Sequence, residues 1–240
     1  TTDQLLCVLK KENINTWFDL GLFIDRFKEE NEANGLEFKG DYKSFIKENS
    51  KGGIAFTTFH YMVDGVTVEI GKYAHLIQRN IPNIPVHYIA GNFHSKSDTL
   101  IDPSYTTHRI PELAGFGEWK YYEDLFMTEL ERGSREYNEL IIRMWNECLK
   151  IIGNLGKYIE REDISLLYIV NICSNPGNVS AALALVILSE FLGIPVINNN
   201  HDFYWEGGNS KFDRKSKGLK PGPRDFFFTN SHLGEVFFVI

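Results

Sequence analysis

The chain has 240 residues, 43% of them hydrophobic and 24% charged, with a formal net charge of −7. That is ordinary for a soluble globular protein with length enough for a real core, and the acidic balance argues against a nucleic-acid binder, whose footprint is basic. Three cysteines (Cys7, Cys148, Cys173) are odd in number, widely spaced and without a C-x-x-C pair; Cys148 and Cys173 sit in apolar stretches, and the pattern reads as buried thiols in a reducing cytoplasm.

The chain opens on TTDQLL, without the basic stretch and apolar core of a signal peptide. Residues 1–50 read as a helical extension. Trp17, Leu20, Phe23, Ile24 and Phe27 recur at helical spacing, opposite Asp25, Arg26, Lys28, Glu29 and Glu30. Asn34-Gly35 is a turn signal, and Tyr42, Phe45 and Ile46 suggest a second, short helix.

Residues 51–240 read as one domain. Gly53 to Phe59 is a strand, Asp64-Gly65 a turn, Val66 to Asn80 a helix with an apolar stripe at Val66, Ile70, Tyr73, Ala74 and Ile77, and Pro85 to Ala90 a second strand. Strand, turn, helix, strand is a βαβ unit and implies a parallel sheet. Residues 91–117, with Gly91, Pro103, Pro111, Gly115 and Gly117, read as a long irregular connection, of a length that is uncommon unless it binds something or moves. From Trp119 to about Glu162 the pattern is helical, divided at Gly133-Ser134.

A second βαβ unit follows: Ser165 to Ile172, then an almost wholly apolar helix from Asn178 to Leu192, then Ile194 to Asn199. The longest apolar run, Ala181 to Ile187, is interrupted by Ser189 and Glu190 and is too short to cross a membrane, which needs about 20 residues. Asp225 to Thr229 reads as a last strand. The chain stops on the apolar run Glu235 to Ile240, which suggests a fragment or a surface that meets a partner. The expected architecture is an open, doubly wound α/β parallel sheet of Rossmann-like type behind a helical extension.

In such sheets ligands bind outside the carboxyl ends of the strands. Two clusters fall there, His60 to Gly65 and Asn198 to Gly208, together with the Asn175-Pro176-Gly177 turn. There is no G-x-G-x-x-G, no G-x-x-x-x-G-K-[ST] and no G-x-S-x-G, which argues against a dinucleotide cofactor, a P-loop and a common serine hydrolase. The single His201-Asp202 pair, without clustered His or Cys, predicts no metal site. Gly65 reads in two compatible ways, as a turn requiring positive φ or as a close approach of backbone to phosphate at a helix N-terminus.

These features resemble the N-terminal domain of a GT-B glycosyltransferase of the retaining family 4. The family's glycine-bearing loop after the first strand corresponds to Asp64-Gly65-Val66, with Asp64 in place of the first glycine. The family's "PV-x-x-x-HD" signature is resembled by Pro195-Val196-Ile197-Asn198-Asn199-Asn200-His201-Asp202, with four residues in place of three between Val196 and His201. The resemblance covers about residues 52–240. It implies transfer of a hexose from a nucleotide-sugar donor to a sugar or anionic acceptor, without cofactor. It also implies a facing donor-binding domain with a Glu-x7-Glu motif, for which 240 residues leave no room, so that this chain alone would be inactive.

By that resemblance His201 touches the donor sugar and stabilises the transition state, while Asp202 orients His201 or caps a turn. Asp64, Gly65 and Val66 would approach the diphosphate. Asn200, Tyr204, Trp205 and Glu206 are candidates to line the sugar site, aromatic residues beside polar groups being suited to stacking on sugar, while Asn198 to Asn200 read equally as partners for backbone groups and Tyr204 and Trp205 as core. Lys211, Arg214, Lys215, Lys217, Lys220 and Arg224 make a basic run that is either a solvated loop or a lid that captures an anionic acceptor. Two other readings stay open: a non-catalytic Rossmann-like ligand-binding or regulatory module, and a sugar-nucleotide epimerase of the same GT-B shape.

Overall fold

A computed structural model describes residues 1–30, 40–126, 128, 130–131, 133–174 and 177–201. Three helices come first: α1 (Thr2–Leu9), α2 (Trp17–Glu30) and α3 (Tyr42–Asn49). They are followed by β1 (Ile54–Tyr61), α4 (Gly65–Asn80), β2 (Val86–Phe93), β3 (Thr106–Arg109), α5 (Tyr122–Phe126), α6 (Arg135–Arg161), β4 (Leu166–Val170), α7 (Val179–Leu192) and β5 (Val196–Asn199). Short 3-10 turns at Ser97–Thr99, Pro111–Leu113 and Phe116–Glu118 punctuate the connection after β2.

The sheet is five-stranded, in the order β3-β2-β1-β4-β5, and every pairing is parallel. A parallel strand covered on both faces reads as a near-continuous apolar run, which is why β1, β2 and β4 are buried almost throughout. Alternate side chains enter two cores. Ala55, Phe59, Ile89, Leu167 and Ile169 pack with α1, α2, α6 and α7. Ile54, Phe56, Tyr88, Leu166, Tyr168 and Val170 pack with Ile46 of α3 and Ile70, Ala74 and Ile77 of α4.

The first two helices join the first core through α6. Phe23 meets Trp145 edge to face at 5.1 Å, Trp17 lies 5.7 Å from Tyr137, and the Thr2 amide donates to Glu160 Oε1 at 2.8 Å. The breaks expected at Ser134 and Gly193 fall where the local chemistry puts them: the Ser134 hydroxyl caps α6 by accepting from the Tyr137 amide, and Gly193 ends α7 in the left-handed region at φ 63°.

Two expectations change. Residues 91–117 are not wholly irregular, because Thr106–Arg109 forms the edge strand β3 against β2. The connection is also fixed in place. Ile110 N donates to Ala90 O at 2.9 Å, and the loop backbone passes so close to β2 that a Cβ on Gly91 would fall 1.9 Å from Ala114 N. The expected strand at 225–229, the Asn34-Gly35 turn and the run from Glu235 to Ile240 lie outside the described residues. No helix among the described residues is long and apolar enough to cross a membrane.

Candidate functional site

β1, β2, β4 and β5 end on the same edge of the sheet, and polar groups gather there. At the start of α4, Asp64 is the N-cap: its Oδ1 accepts from the Thr67 amide at 2.8 Å. The carboxylate therefore turns onto its own helix. Gly65 is the first helical residue and is exposed, and its φ is not positive, so the turn does not need a glycine. A Cβ there would meet nothing within 4 Å among the described residues, which leave the space beside the opening N–H groups of α4 open. Such groups have no intrahelical acceptor and favour an anion. Val66 is half-buried and packs on the second core.

Glu69, one turn further along α4, connects this helix to the end of β5. Asn199 Nδ2 donates to Glu69 Oε1 at 3.3 Å, and His201 Nε2 stands 3.3 Å from Glu69 Oε2, off the direction of a regular hydrogen bond. Hydrogen bonding to Glu69, and next the charge of Glu69, raise the Tyr73 phenol above its ordinary range. The His201 amide is held from the other side by Asn171 Oδ1 at 2.8 Å. Asn171, just after β4, adopts φ 63°, a left-handed conformation that asparagine tolerates. The Asn200 Oδ1 is buried without a hydrogen-bond partner among the described residues, and a buried orphan acceptor costs free energy unless something fills it. Asp202, Tyr204, Trp205, Glu206, Lys211 and Arg214 lie outside the described residues, as does the rest of the basic run.

A second group sits at the ends of β1 and β2. His60 and His94 meet edge to face with ring centroids 5.5 Å apart, and His94 Nε2 lies 2.8 Å from Glu118 Oε1. Asn92 Nδ2 donates to Glu118 Oε2 at 3.0 Å. One ligand atom from each of His60, His94 and Glu118 lies within 4.8 Å of the other two. Burial, foremost, pulls the His60 pKa below its ordinary value of 6.5; Glu118 opposes this and His94 adds to it.

Glu118 is delivered by a strained turn. Phe116 has φ 53°, an outlier for a bulky residue. Its amide donates to Gly177 O at 2.8 Å, and its ring packs on Phe59 at 5.3 Å and on His60 at 6.2 Å. Asn178 secures the same segment, donating from Nδ2 to Glu112 O and Ala114 O at 2.9 and 2.8 Å.

His60 falls within a cluster that the strand-end rule singles out, but sequence reasoning gives it no role and misses His94 and Glu118. The available signal was a histidine at the end of each of two adjacent strands, followed by a carboxylate in the next connection.

A groove of about 590 Å³ lies elsewhere, between the link joining α1 to α2 and the outer side of α6, lined by Leu6, Ile14, Trp145 and Leu149. It contains none of the residues of the sheet edge. No protein-family model matches this sequence, and no curated protein or solved structure does either.

Proposed function

We propose that the chain is the acceptor-side domain of a retaining glycosyltransferase that moves a hexose from a nucleotide-sugar donor to a sugar or anionic acceptor. The observation that carries this reading is the convergence on Glu69. Through it, the histidine of the Pro195 to Asp202 run reaches the helix opened by Asp64-Gly65-Val66, so the two segments that carry the resemblance lie beside each other at one edge of the sheet.

In this reading the donor diphosphate lies over Gly65, where a side chain is missing and helix N–H groups point outward. His201, oriented by Glu69 and by Asn171, donates toward oxygen on the sugar, and that contact strengthens as charge develops in the transition state. A donor-binding domain facing this edge completes the site, and the basic run from Lys211 to Arg224 receives an anionic acceptor.

The test is a screen of the complete gene product against uridine, guanosine and adenosine diphosphate sugars, reading nucleotide release and the anomeric configuration of the product. Release with retained configuration is the expected result. Binding without release favours the non-catalytic module, and recovery of an epimerised sugar favours the epimerase. Absence of both binding and release would contradict the proposal.

A further inference from the structure

We propose that His60, His94 and Glu118 form a binding site for one borderline divalent cation of the zinc class at the ends of β1 and β2. The donor set is the first argument. Two imidazoles and one carboxylate suit zinc, cobalt(II) or iron(II), whereas magnesium and calcium select oxygen-rich sets.

Geometry is the second. Ligands about 2.1 Å from a shared ion stand roughly 3.0–3.4 Å apart. His94 Nε2 and Glu118 Oε1 are already 2.8 Å apart, and the whole set lies within 4.8 Å, which small side-chain rotations close.

The third argument is the state of the ring nitrogens. His60 Nδ1 is buried with no hydrogen-bond partner. His94 Nε2 is also without a regular hydrogen bond, although a carboxylate oxygen is beside it, because that oxygen lies off the N–H direction. Two such nitrogens on histidines whose ligand atoms gather with one carboxylate are explained by a shared electrophile. The neutral imidazole is the ligating form.

Supporting contacts complete the site. Asn92 fixes the Glu118 carboxylate through its second oxygen, the kind of outer contact that orients metal ligands. The side chains of His94 and Glu118 are 33% and 37% exposed, so water can occupy the remaining coordination positions. Three protein ligands with an open position describe a reactive or exchangeable site, not a closed structural one. This inference is independent of the proposed sugar transfer, since its readout is metal binding itself.

The experiment is calorimetric titration of the chain, prepared without a histidine tag, with zinc and with cobalt(II). One equivalent should bind with micromolar or tighter affinity. His94→Gln and Glu118→Gln should each weaken binding by more than the about 10–100-fold expected for Asn92→Ala, which removes only an outer contact. His75→Gln, on exposed α4 surface, should bind as the parent does.

A second measurement needs no variant. Proton NMR of the cobalt(II) form should show strongly shifted imidazole resonances from two histidines. Absence of saturable binding, binding that survives both ligand substitutions, or a cobalt spectrum without shifted imidazole signals overturns the site.

Discussion

Asn178→Ala removes three hydrogen bonds at once, and the structure allows the cost to be divided. Asn178 is 0% exposed; its Oδ1 accepts from the Ala181 amide at 2.9 Å as the cap of α7, and its Nδ2 serves the carbonyls of Glu112 and Ala114. Loss of the cap costs about 1 kcal/mol. The carbonyl of Glu112, bonded in a half-buried setting, should cost about 1 kcal/mol when orphaned, and the buried Ala114 carbonyl about 2 kcal/mol. The expected destabilisation is about 4 kcal/mol in all, a large share of the stability of an ordinary domain.

Two further substitutions separate the terms. Asn178→Ser keeps a cap and should lose about 3 kcal/mol. Asn178→Asp keeps the acceptor but turns a carboxylate toward two carbonyl oxygens, and should be at least as damaging as alanine. Urea unfolding with an unchanged slope is the assay, since a shift in midpoint alone then reports stability. An aspartate variant as stable as the parent, or an alanine variant within about 1 kcal/mol of it, would refute the reasoning. It would mean that the segment bearing Glu118 is not held by Asn178.

Gly65→Ala should leave stability unchanged or slightly raised, because its Cβ meets nothing and its φ is not positive, while donor KM rises about tenfold, or about 1.4 kcal/mol, as the methyl group crowds the diphosphate; unaltered KM would remove the phosphate from this turn. Burial, the main cause, lowers the His87 and His108 pKa values below 6.5; Glu162 opposes this at both rings, while Arg161 and His87 reinforce it at His108. The unfolded chain then binds more protons, so stability should be full above pH 6.5 and fall as pH drops below it, and His87→Gln should flatten the unfolding midpoint against pH. Burial raises the Cys148 thiol and pushes Cys173 up to about 12, whereas Cys7 is exposed. A thiol reagent should therefore label one cysteine in the native chain and all three after unfolding, and rapid native labelling of all three would contradict the core packing.

The parts of the fold legible in the sequence are those where burial on both faces forces a pattern. The runs at Ile54 and Leu166 and the apolar α7 cannot be read as surface, and Asp64, Ser134 and Asn178 mark helix starts by capping chemistry. β3 escaped because Thr106, Thr107 and Arg109 are exposed on an edge, where polar residues are favoured and no apolar alternation remains. At the candidate site, the placement of His201 at the strand-end edge was legible because it lies two residues past the end of β5. The contact with Glu69 was not, since it depends on how α4 packs beside β5. His60, His94 and Glu118 are brought together by the adjacency of β1 and β2 and by the Gly91 close approach, and no local spacing encodes either.

The central claim is tested most directly by His201→Ala in the complete gene product, assayed with whichever nucleotide sugar the parent cleaves. A lost transition-state contact should lower kcat by about 10²–10³. The melting temperature should hold, because the His201 side chain is 27% exposed and its Nε2 makes no regular hydrogen bond with the described residues. Turnover equal to that of the parent, or loss of the folded state, would contradict the account.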